Sequence, residues 1–451
     1  MPLSRLIITE DEPSSLLKDF DTYVHGLTDE QVILTPRSEF VQPELLYRLN
    51  QKMMRPVSGA TSSTKQRSYR MLHLFYHLAL TGRLFEKTLL ENDELALKPT
   101  ERLDVYEKLK PAEKYFFLLE TLWTDVDWEN LNNHLSGDLE SCLLALKLLN
   151  EMHPSEEVNL MKEKDKKTRI YRILETFSDL LLYFSYFGLL KIIPPEEEAK
   201  RQPSKKDFLI RSVKVSLFGA TITTILQQAR EPIYWNLPSR RADGELKPKP
   251  GFPLPPQSRY RIYRQEMLSI LGKTNKTPKA KNALVKRGKP GDPFFLPFKA
   301  FFQEGELQRT LPRPESGFVD GTYIFKVGLR GSVWRRIEIS AEDTLLSLHL
   351  AIQNAFDFDD DHLYGFYMDG KYSSRGAYFL SPDDEEGPYA NKIRIGELGL
   401  YIGQRILYLF DFGEKWYFQV RLEGLKAGPK PPLPRIIEKK GKSPNQYPDE
   451  T

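Results

Sequence analysis

Two blocks near the end of the 451-residue chain combine carboxylates with aromatic side chains, residues 356–366 and residues 407–416. Each block places its carboxylates at the edge of an apolar segment, where a carboxylate needs a hydrogen-bonding or charged partner. The two blocks are therefore the strongest candidates for chemistry in the chain. Their candidate acidic cluster consists of Asp359, Asp360, Asp361, His362, Asp411 and Glu414.

Two interpretations of this cluster are open. Carboxylate oxygens suit a divalent metal such as Mg or Mn, which would support a nuclease or phosphotransfer enzyme. Alternatively, consecutive aspartates at a helix end bond backbone N–H groups or face water. Three consecutive aspartates do not all face one ion without an unusual backbone. The sequence therefore favours a structural role, predicts no cofactor and identifies no catalytic residue.

A basic motif upstream offers partners for these carboxylates. Trp334 is followed by Arg335 and Arg336, and guanidinium groups bind carboxylates through paired, charge-assisted hydrogen bonds. We expect the two arginines to pair with the aspartates and so to fix a hairpin to the acidic turn. Trp334 and Trp416, at the end of the second block, are expected to be structural partners in the same arrangement.

The elements that carry these residues can be read from their apolar spacing. Residues 323–329 and 333–339 alternate around Arg330-Gly331-Ser332, which predicts a β-hairpin. Leu345, Leu348, Ile352 and Phe356 share one helical face. Further strands are expected around 363–368, 372–378, 405–410 and 417–422. A hairpin, a helix and more strands indicate an α+β domain over residues 317–451, ending in an extended tail from 429.

The order and spacing of these blocks resemble a known family. The residues Val333-Trp334-Arg335-Arg336-Ile337, the helix leading into residues 359–364, Leu398-Gly399-Leu400 and residues 408–416 are similar to the plasmid pRiA ORF-three-like family. The resemblance covers about residues 317–447 and implies a small α+β domain, found in bacterial chromosomes, plasmids and mobile elements, with a helical N-terminal region. The family has no established activity to carry over. Many members have a His two residues after the Trp, where this chain has Phe418.

The first half of the chain has a different character. Apolar residues recur at helical spacing, so residues 1–160 are predicted to form a helical domain. Residues 161–235 are predicted to form a helix-hairpin-helix segment that resembles a winged helix. Residues 236–316 are rich in Pro and Lys and are predicted to be a linker that ends in a docked aromatic segment, 294–302. The fold class is thus multidomain, with a mostly α N-terminal region before the α+β domain.

Charge is concentrated in the middle of the chain. Residues 161–290 contain 28 Lys and Arg but 12 Asp and Glu, a net charge of +16, whereas residues 1–160 carry −9. Such asymmetry favours an anionic partner, and nucleic acid is the expected one. The expected contacts are Lys200, Arg201, Lys205, Lys206, Arg211 and Lys214.

Composition excludes some classes of protein. The single cysteine, Cys142, allows neither an intramolecular disulfide nor a thiolate metal cluster. No apolar run reaches the roughly 18 residues that cross a bilayer, so we expect a cytoplasmic protein without a membrane partner. The favoured function is a non-enzymatic binding protein whose partner is nucleic acid or another protein. The alternative is the metal-dependent enzyme. The sequence does not specify the oligomeric state.

Overall fold

The chain folds into two compact units. The larger comprises Met1–Glu86, Leu97–Asp243 and Pro248–Leu311, and the smaller comprises Lys87–Ala96, Gly244–Lys247 and Pro312–Thr451. The predicted boundaries at residues 160, 235 and 316 stay predictions. The computed structural model describes residues 5–92, 94–131, 139–154, 156–160, 178–195, 209–245, 247–256, 258–261, 289–313, 318–329, 332–368, 370, 372, 378–385 and 387–447.

Helices dominate the described part of the first half of the chain. In chain order they are α1 (Leu16–Thr28), α2 (Pro43–Lys52), α3 (Arg70–Thr81), α4 (Glu101–Glu107), α5 (Pro111–Glu120), α6 (Trp128–Leu131), α7 (Leu139–Glu151), α8 (Ser178–Tyr186), α9 (Leu217–Ala229), α10 (Pro232–Trp235), α11 (Leu237–Ala242) and α12 (Leu345–Phe356). A π-helical turn, Thr121–Asp125, extends α5, and short 3-10 turns lie at Gln66–Ser68, Leu296–Phe301, Ala390–Lys392 and Ile395–Glu397. None of the described helices is long and apolar enough to cross a membrane.

The strands form three sheets. They are β1 (Val32–Ile33), β2 (Phe85–Leu89), β3 (Leu95–Pro99), β4 (Glu157–Asn159), β5 (Leu190–Ile193), β6 (Ser212–Val215), β7 (Thr322–Gly328), β8 (Trp334–Ser340), β9 (Tyr364–Tyr367), β10 (Tyr378–Leu380), β11 (Arg405–Phe410), β12 (Trp416–Lys426) and β13 (Arg435–Lys440). Two sheets have three strands, in the orders β1-β3-β2 and β4-β6-β5, and the third has seven. The predicted fold class, a mostly helical N-terminal region followed by an α+β domain, is confirmed.

Aromatic side chains fill the core of the larger unit. Phe20 of α1 meets Phe75 of α3 edge to face at a centroid distance of 5.3 Å. The segment after residue 289 also docks through an aromatic ring, since the ring of Phe298 lies 4.8 Å from that of Phe116 in α5. The guanidinium of Arg230 bonds the carbonyl oxygen of Phe294 at 2.9 Å. The aromatic end of the Pro-rich region is therefore part of this core.

The seven-stranded sheet organises the C-terminal domain. Its order is β10-β9-β11-β12-β7-β8-β13, and the neighbouring strands pair antiparallel. The predicted hairpin is β7 and β8, with Gly328 opposite Trp334. Strand β11 pairs with β9, with Phe410 opposite Tyr364, so the sheet brings the second acidic-aromatic block next to the first.

Helix α12 covers one face of this sheet. Thr344 caps its N-terminus by accepting a hydrogen bond from the backbone N–H of Ser347 at 3.2 Å. Its apolar face, which includes Leu348 and Ile352, is fully buried in one cluster with strand residues such as Phe325 and Phe418. Burying each such side chain contributes roughly 1.5–3 kcal/mol, so this face anchors the helix that precedes the acidic segment.

The tail predicted as extended belongs to the sheet. Residues 435–440 form β13, which pairs with β8 at the sheet edge, and all six are exposed. Beyond β13 the chain returns toward the acidic segment, where Gln446 is buried. The tail therefore supplies contacts to the candidate site.

Candidate functional site

The end of α12 sets the path of the first acidic-aromatic block. Asp357 adopts a left-handed conformation, with φ of 60°, and its N–H bonds the carbonyl oxygen of Gln353. Asp is among the few residues that accept this conformation readily. The reversal sends Phe358 into the core, where its ring lies 4.9 Å from that of Trp416. Asp359, Asp360 and Asp361 follow on the surface.

Asp360 ends a chain of hydrogen bonds that runs into the core. Its Oδ1 lies 2.6 Å from Nε2 of His349, and Nδ1 of His349 lies 2.7 Å from the hydroxyl of Tyr408. The amide nitrogen of Gln353 donates to the same hydroxyl at 2.8 Å. Since that hydroxyl accepts from Gln353, it donates its own hydrogen to His349. The network thus places the one N–H proton of the imidazole on Nε2, facing Asp360.

Burial determines the pKa values of the groups in this hydrogen-bond network. His349 and Tyr408 have no exposed surface. Burial lowers the pKa of His349, and the nearby charge of Asp360 only partly opposes this. Burial also raises the pKa of Tyr408 well above its usual value. The imidazole is therefore neutral at neutral pH, and the chain ends at a hydroxyl that no substrate can reach.

Asp361 is engaged by the tail instead. Gln446 donates to its Oδ1 at 3.1 Å, and the hydroxyl of Tyr447 donates to its Oδ2. The bond from Tyr447 holds the pKa of Asp361 below its usual value. Gln446 also accepts a hydrogen bond from the backbone N–H of Asp359. The tail thus holds both the backbone and one carboxylate of the acidic segment.

Asp411, in the second block, stabilises the turn in which it lies. Its φ is 55°, and its Oδ1 accepts hydrogen bonds from the backbone N–H groups of Gly413 at 2.8 Å and Glu414 at 3.2 Å. Its Oδ2 lies 3.5 Å from Nε2 of His362. Glu414 is exposed. This is an Asx turn that links β11 to β12.

The predicted ion pairs between the arginines and the aspartates are wrong. Arg335 is buried and donates to the carbonyl oxygens of Ala355 at 2.7 Å and Lys440 at 3.0 Å. Arg336 pairs instead with Glu423, at 2.7 Å, and with Glu438. Consecutive residues of a strand face opposite sides of a sheet, so the two guanidiniums cannot reach the same turn.

The tryptophans also have partners other than those expected. The ring of Trp334 lies under the cations of Lys326 and Arg336, at 4.8 and 5.3 Å. Trp416 packs on Phe358, and its indole nitrogen is buried without a hydrogen-bond partner among the described residues. Trp416, at the end of the second block, therefore contacts the first block through Phe358.

The predicted cluster comes together in part, around His362, whose Nε2 lies 3.8 Å from Oδ1 of Asp361 and 3.5 Å from Oδ2 of Asp411. Asp360 bonds a helix, Asp361 bonds the tail and Asp411 bonds its own turn. Across the described residues, no group of three or more His, Cys, Asp and Glu side chains is placed to hold a metal ion. The carboxylates are thus distributed among three structural contacts.

Comparison with known proteins finds a family similarity in the C-terminal domain. Residues 322–447 match the family model described as plasmid pRiA4b ORF-3-like protein. The C-terminal domain is a pRiA4b ORF-3-like domain. A crystal structure of a protein of unknown function from Methanosarcina mazei Go1 is 27% identical over 28% of this chain and 71% of that chain, with a TM-score of 0.23. No curated protein matches the chain.

Within the pRiA4b ORF-3-like domain, Phe418 replaces the histidine expected from the resemblance. It has no exposed surface. Its ring lies 5.0 Å from that of Phe356 and 5.4 Å from that of Tyr408. At this position the chain has a core residue, which performs no acid–base or metal chemistry.

The basic residues predicted to contact nucleic acid are described in part. Lys200, Arg201, Lys205 and Lys206 lie outside the described residues. Arg211 and Lys214 are half-buried. Lys214 lies in the central strand of the β4-β6-β5 sheet, opposite Glu157 on one side and Lys191 on the other.

Three residues of the hydrogen-bond network, His349, Gln353 and Tyr408, were not identified from the sequence. His349 and Gln353 lie four residues apart in α12, beside the apolar face of Leu348 and Ile352. Two polar side chains at this spacing next to a buried stripe must find internal partners. That pattern was the available signal. Nothing in the sequence pointed to Tyr408 as the partner, because it lies 59 residues further along the chain.

Proposed function

We propose that the protein is a cytoplasmic, non-enzymatic binding protein that contacts nucleic acid through its basic middle region. The C-terminal domain would serve as a structural or protein-interaction module. A bacterial source and an association with mobile elements, both implied by the family, are part of the same proposal.

The observation that carries the proposal is the arrangement of the β4-β6-β5 sheet. Helix α8 leads directly into β5, and β5 pairs with β6 at Leu190 and Val215. Strand β4, which follows α7 in the chain, pairs with the other edge of β6. In winged-helix proteins a helix likewise leads into a small antiparallel sheet, and the connection between two of its strands is called the wing; here the corresponding connection joins β5 to β6. This supports a nucleic-acid contact by the connection.

The charge of the connection supports the same role. It contains Lys200, Arg201, Lys205 and Lys206, within a region of net charge +16. Lysine and arginine neutralise phosphates and release condensed counterions, which gives affinity without sequence preference. Three glutamates, Glu196 to Glu198, precede them and would oppose binding.

The carboxylates of the C-terminal domain favour a non-enzymatic role. Each of Asp360, Asp361 and Asp411 is committed to an internal hydrogen bond. The alternative, a metal-dependent nuclease or phosphotransfer enzyme, needs several of them free around one ion. No described contact favours that alternative.

Fluorescence anisotropy of labelled DNA and RNA duplexes over a salt series tests the proposal. We expect the logarithm of affinity to fall linearly with the logarithm of salt concentration. Replacing the four wing cations by Gln should lower the slope by about 3 to 4, because each phosphate contact contributes roughly 0.9. Replacing Glu196, Glu197 and Glu198 by Gln should raise the affinity.

A matched control uses four exposed cations from residues 1–160. These are Lys52, Arg55, Lys98 and Lys108, and their replacement by Gln removes the same charge. The proposal requires this control to keep the wild-type slope. The absence of nucleic-acid binding at low salt would contradict the proposal. An equal decrease of the salt slope in the control and in the wing variant would also contradict it.

A further inference from the structure

Strand β13 forms one edge of the seven-stranded sheet, where it pairs with β8. All six of its residues are exposed. The opposite edge, β10, has three residues, and the N–H of Leu380 in it donates to the carbonyl oxygen of Pro388 at 2.8 Å. An edge strand directs alternate N–H and C=O groups away from its sheet, where a further strand can bond them. Of the two edges, β13 is therefore the longer one and the one that is exposed throughout.

Apolar side chains accompany this exposed edge. Leu433, just before the strand, is exposed, and so are Ile436 and Ile437 within it. Ile437 has no counterpart in β8, because the register shifts between Ile436 and Glu438. β-Branched residues stabilise a strand mainly through packing against cross-strand neighbours. A further strand beside β13 would supply such neighbours.

Positive charge is concentrated at the C-terminal end of the same edge. Lys439, Lys440 and Lys442 are exposed, and within the described chain none of their ammonium groups has an ion-pair or hydrogen-bond partner. The remaining charged side chains of β13, by contrast, already form ion pairs with β8. A partner segment with carboxylates would therefore be complementary to three unpaired cations.

The combination of edge backbone groups, isoleucines and lysines favours a peptide strand over other partners. Nucleic acid would use the lysines but neither the edge backbone groups nor Ile437. A second copy of β13 would bring the same lysines, and lysines on edge strands oppose pairing between copies. The neighbouring strands of this sheet all pair antiparallel. Antiparallel addition to β13 requires the acidic residues of the partner to precede its apolar ones.

We propose that β13 binds an extended acidic segment of a partner protein by antiparallel strand addition. The acidic residues of this segment lie opposite Lys439, Lys440 and Lys442, and two β-branched residues follow them, opposite Ile436 and Ile437. Main-chain hydrogen bonds provide affinity in this binding mode, and side chains provide specificity. The inference rests on the proposed role of the C-terminal domain as a protein-interaction module, and it does not involve nucleic-acid binding by the basic middle region.

Fluorescence anisotropy of a labelled octapeptide with the full-length chain tests the proposal. The probe is Glu-Thr-Glu-Glu-Thr-Val-Val-Thr, whose residues lie opposite residues 442 to 435 in the antiparallel register. We expect saturable binding, together with slower hydrogen exchange of the amides of β13. The peptide of reversed sequence has the same composition but fits only a parallel strand, so it should bind more weakly.

N-methylated peptides separate strand addition from simple attraction between charges. One peptide carries N-methyl groups on its odd-numbered residues, and the other carries them on its even-numbered residues. Alternate N–H groups of a strand point to opposite edges, so only one of the two peptides should lose affinity. The loss should be at least about tenfold, because several main-chain hydrogen bonds disappear together.

Charge reversal on the protein tests the contribution of the lysines. The combined variant Lys439→Glu, Lys440→Glu and Lys442→Glu should weaken octapeptide binding at least about tenfold, because three attractions become repulsions. The matched control makes the same substitution at three exposed lysines outside this edge, namely Lys98, Lys108 and Lys392. The control changes the net charge equally and should bind the octapeptide as the wild type does.

A second variant tests the apolar part of the edge. Ile437→Thr keeps a β-branched residue but removes apolar surface, and it should weaken octapeptide binding roughly threefold, the value of one cross-strand pair. Ile7→Thr is the matched control, because Ile7 is an exposed isoleucine of the larger unit. It should leave the affinity unchanged.

Three results would overturn the proposal. The first is equal binding of the two N-methylated peptides, and the second is an equal loss in the lysine variant and its control. The third is dimerisation of the free chain that the lysine variant abolishes, since it would assign the edge to a second copy. Octapeptide binding by a chain that binds no nucleic acid at low salt would support this inference while contradicting the proposed role of the basic middle region.

Discussion

The two acidic-aromatic blocks look alike in sequence but use their carboxylates differently. In the first block, Asp360 and Asp361 bond side chains from α12 and from the tail. In the second block, Asp411 bonds the backbone of its own turn, two and three residues ahead. A carboxylate among aromatics therefore identifies a place that needs a partner. It does not identify whether that partner is local or distant.

Position in the fold explains the difference. The first block connects α12 to β9, and three parts of the chain meet there. The second block joins two adjacent antiparallel strands, β11 and β12, and Phe410 lies opposite Trp416. A tight connection between paired strands must satisfy its N–H groups within a few residues. The first block is thus expected to be coupled to α12 and to the tail. The second block is coupled to its own turn and, through the Asp411 N–H, which donates to the carbonyl oxygen of Leu363 at 3.0 Å, to the first block.

Replacing His349, which bonds the first block to the core, should produce the largest loss of stability. His349→Ala leaves a cavity in the core and breaks the bonds to Asp360 and Tyr408. We expect the free energy of unfolding of the C-terminal domain to fall by about 3–4 kcal/mol, measured by hydrogen exchange of β9 and β11. Leu350→Ala is the control on the same helix, because Leu350 is 47% exposed, and it should cost less than about 0.5 kcal/mol.

The pH dependence of this loss is a further check. The pKa of His349 is lower in the folded chain than the ordinary value of 6.5. A lowered histidine pKa contributes stability above the unfolded value, and that contribution is lost as the pH falls. The difference between wild type and His349→Ala should therefore shrink below pH 6.5. A difference that grows with acid would mean that His349 is protonated in the fold.

Replacing Asp411 in the turn of the second block should produce the next largest loss of stability. Asp411→Ala loses the acceptor for two N–H groups and places Ala at a φ of 55°, which costs about 1–2 kcal/mol per residue on its own. We expect a loss of about 2 kcal/mol in the free energy of unfolding, measured by denaturant titration of Trp fluorescence. Asp411→Asn keeps the oxygen and should cost less than about 0.5 kcal/mol.

An exposed neighbour provides the control for this turn. Glu414 belongs to the same block, but within the described chain its side chain has no hydrogen-bonding partner, so Glu414→Ala should leave the unfolding curve unchanged. An equal loss in Asp411→Asn and Asp411→Ala would show that charge, rather than the turn, is what Asp411 provides.

Much of the C-terminal domain could be predicted because its signals are local. Alternation over residues 323–339 predicted β7 and β8, and the spacing of Leu345 and Ile352 predicted α12. The partners of Arg335 and Arg336 could not be deduced in the same manner, although alternation alone excludes a shared target for adjacent strand residues. Partners distant in sequence depend on the order of strands in the sheet, which no local pattern encodes.

The tail shows where local signals fail. All six residues of β13 are exposed, so their sequence has no buried alternation to mark a strand. Gln446 and Tyr447 are polar residues near the end of the chain, and nothing in their spacing indicates that they bond Asp359 and Asp361. The local patterns therefore mark the two blocks along the chain but give no sign of their partners in the tail.

Loosening the tail should produce the smallest effect, confined to the first block. Gln446 accepts a hydrogen bond from the N–H of Asp359 and donates to its carbonyl oxygen at 3.2 Å. Gln446→Ala should raise the hydrogen-exchange rate of the Asp359 amide roughly fivefold, the equivalent of about 1 kcal/mol for one hydrogen bond. Exchange of the Gly413 and Glu414 amides should not change, because both donate to the carboxylate of Asp411 in the same turn. Faster exchange in both blocks would mean that they share one support and that the contrast between them is wrong.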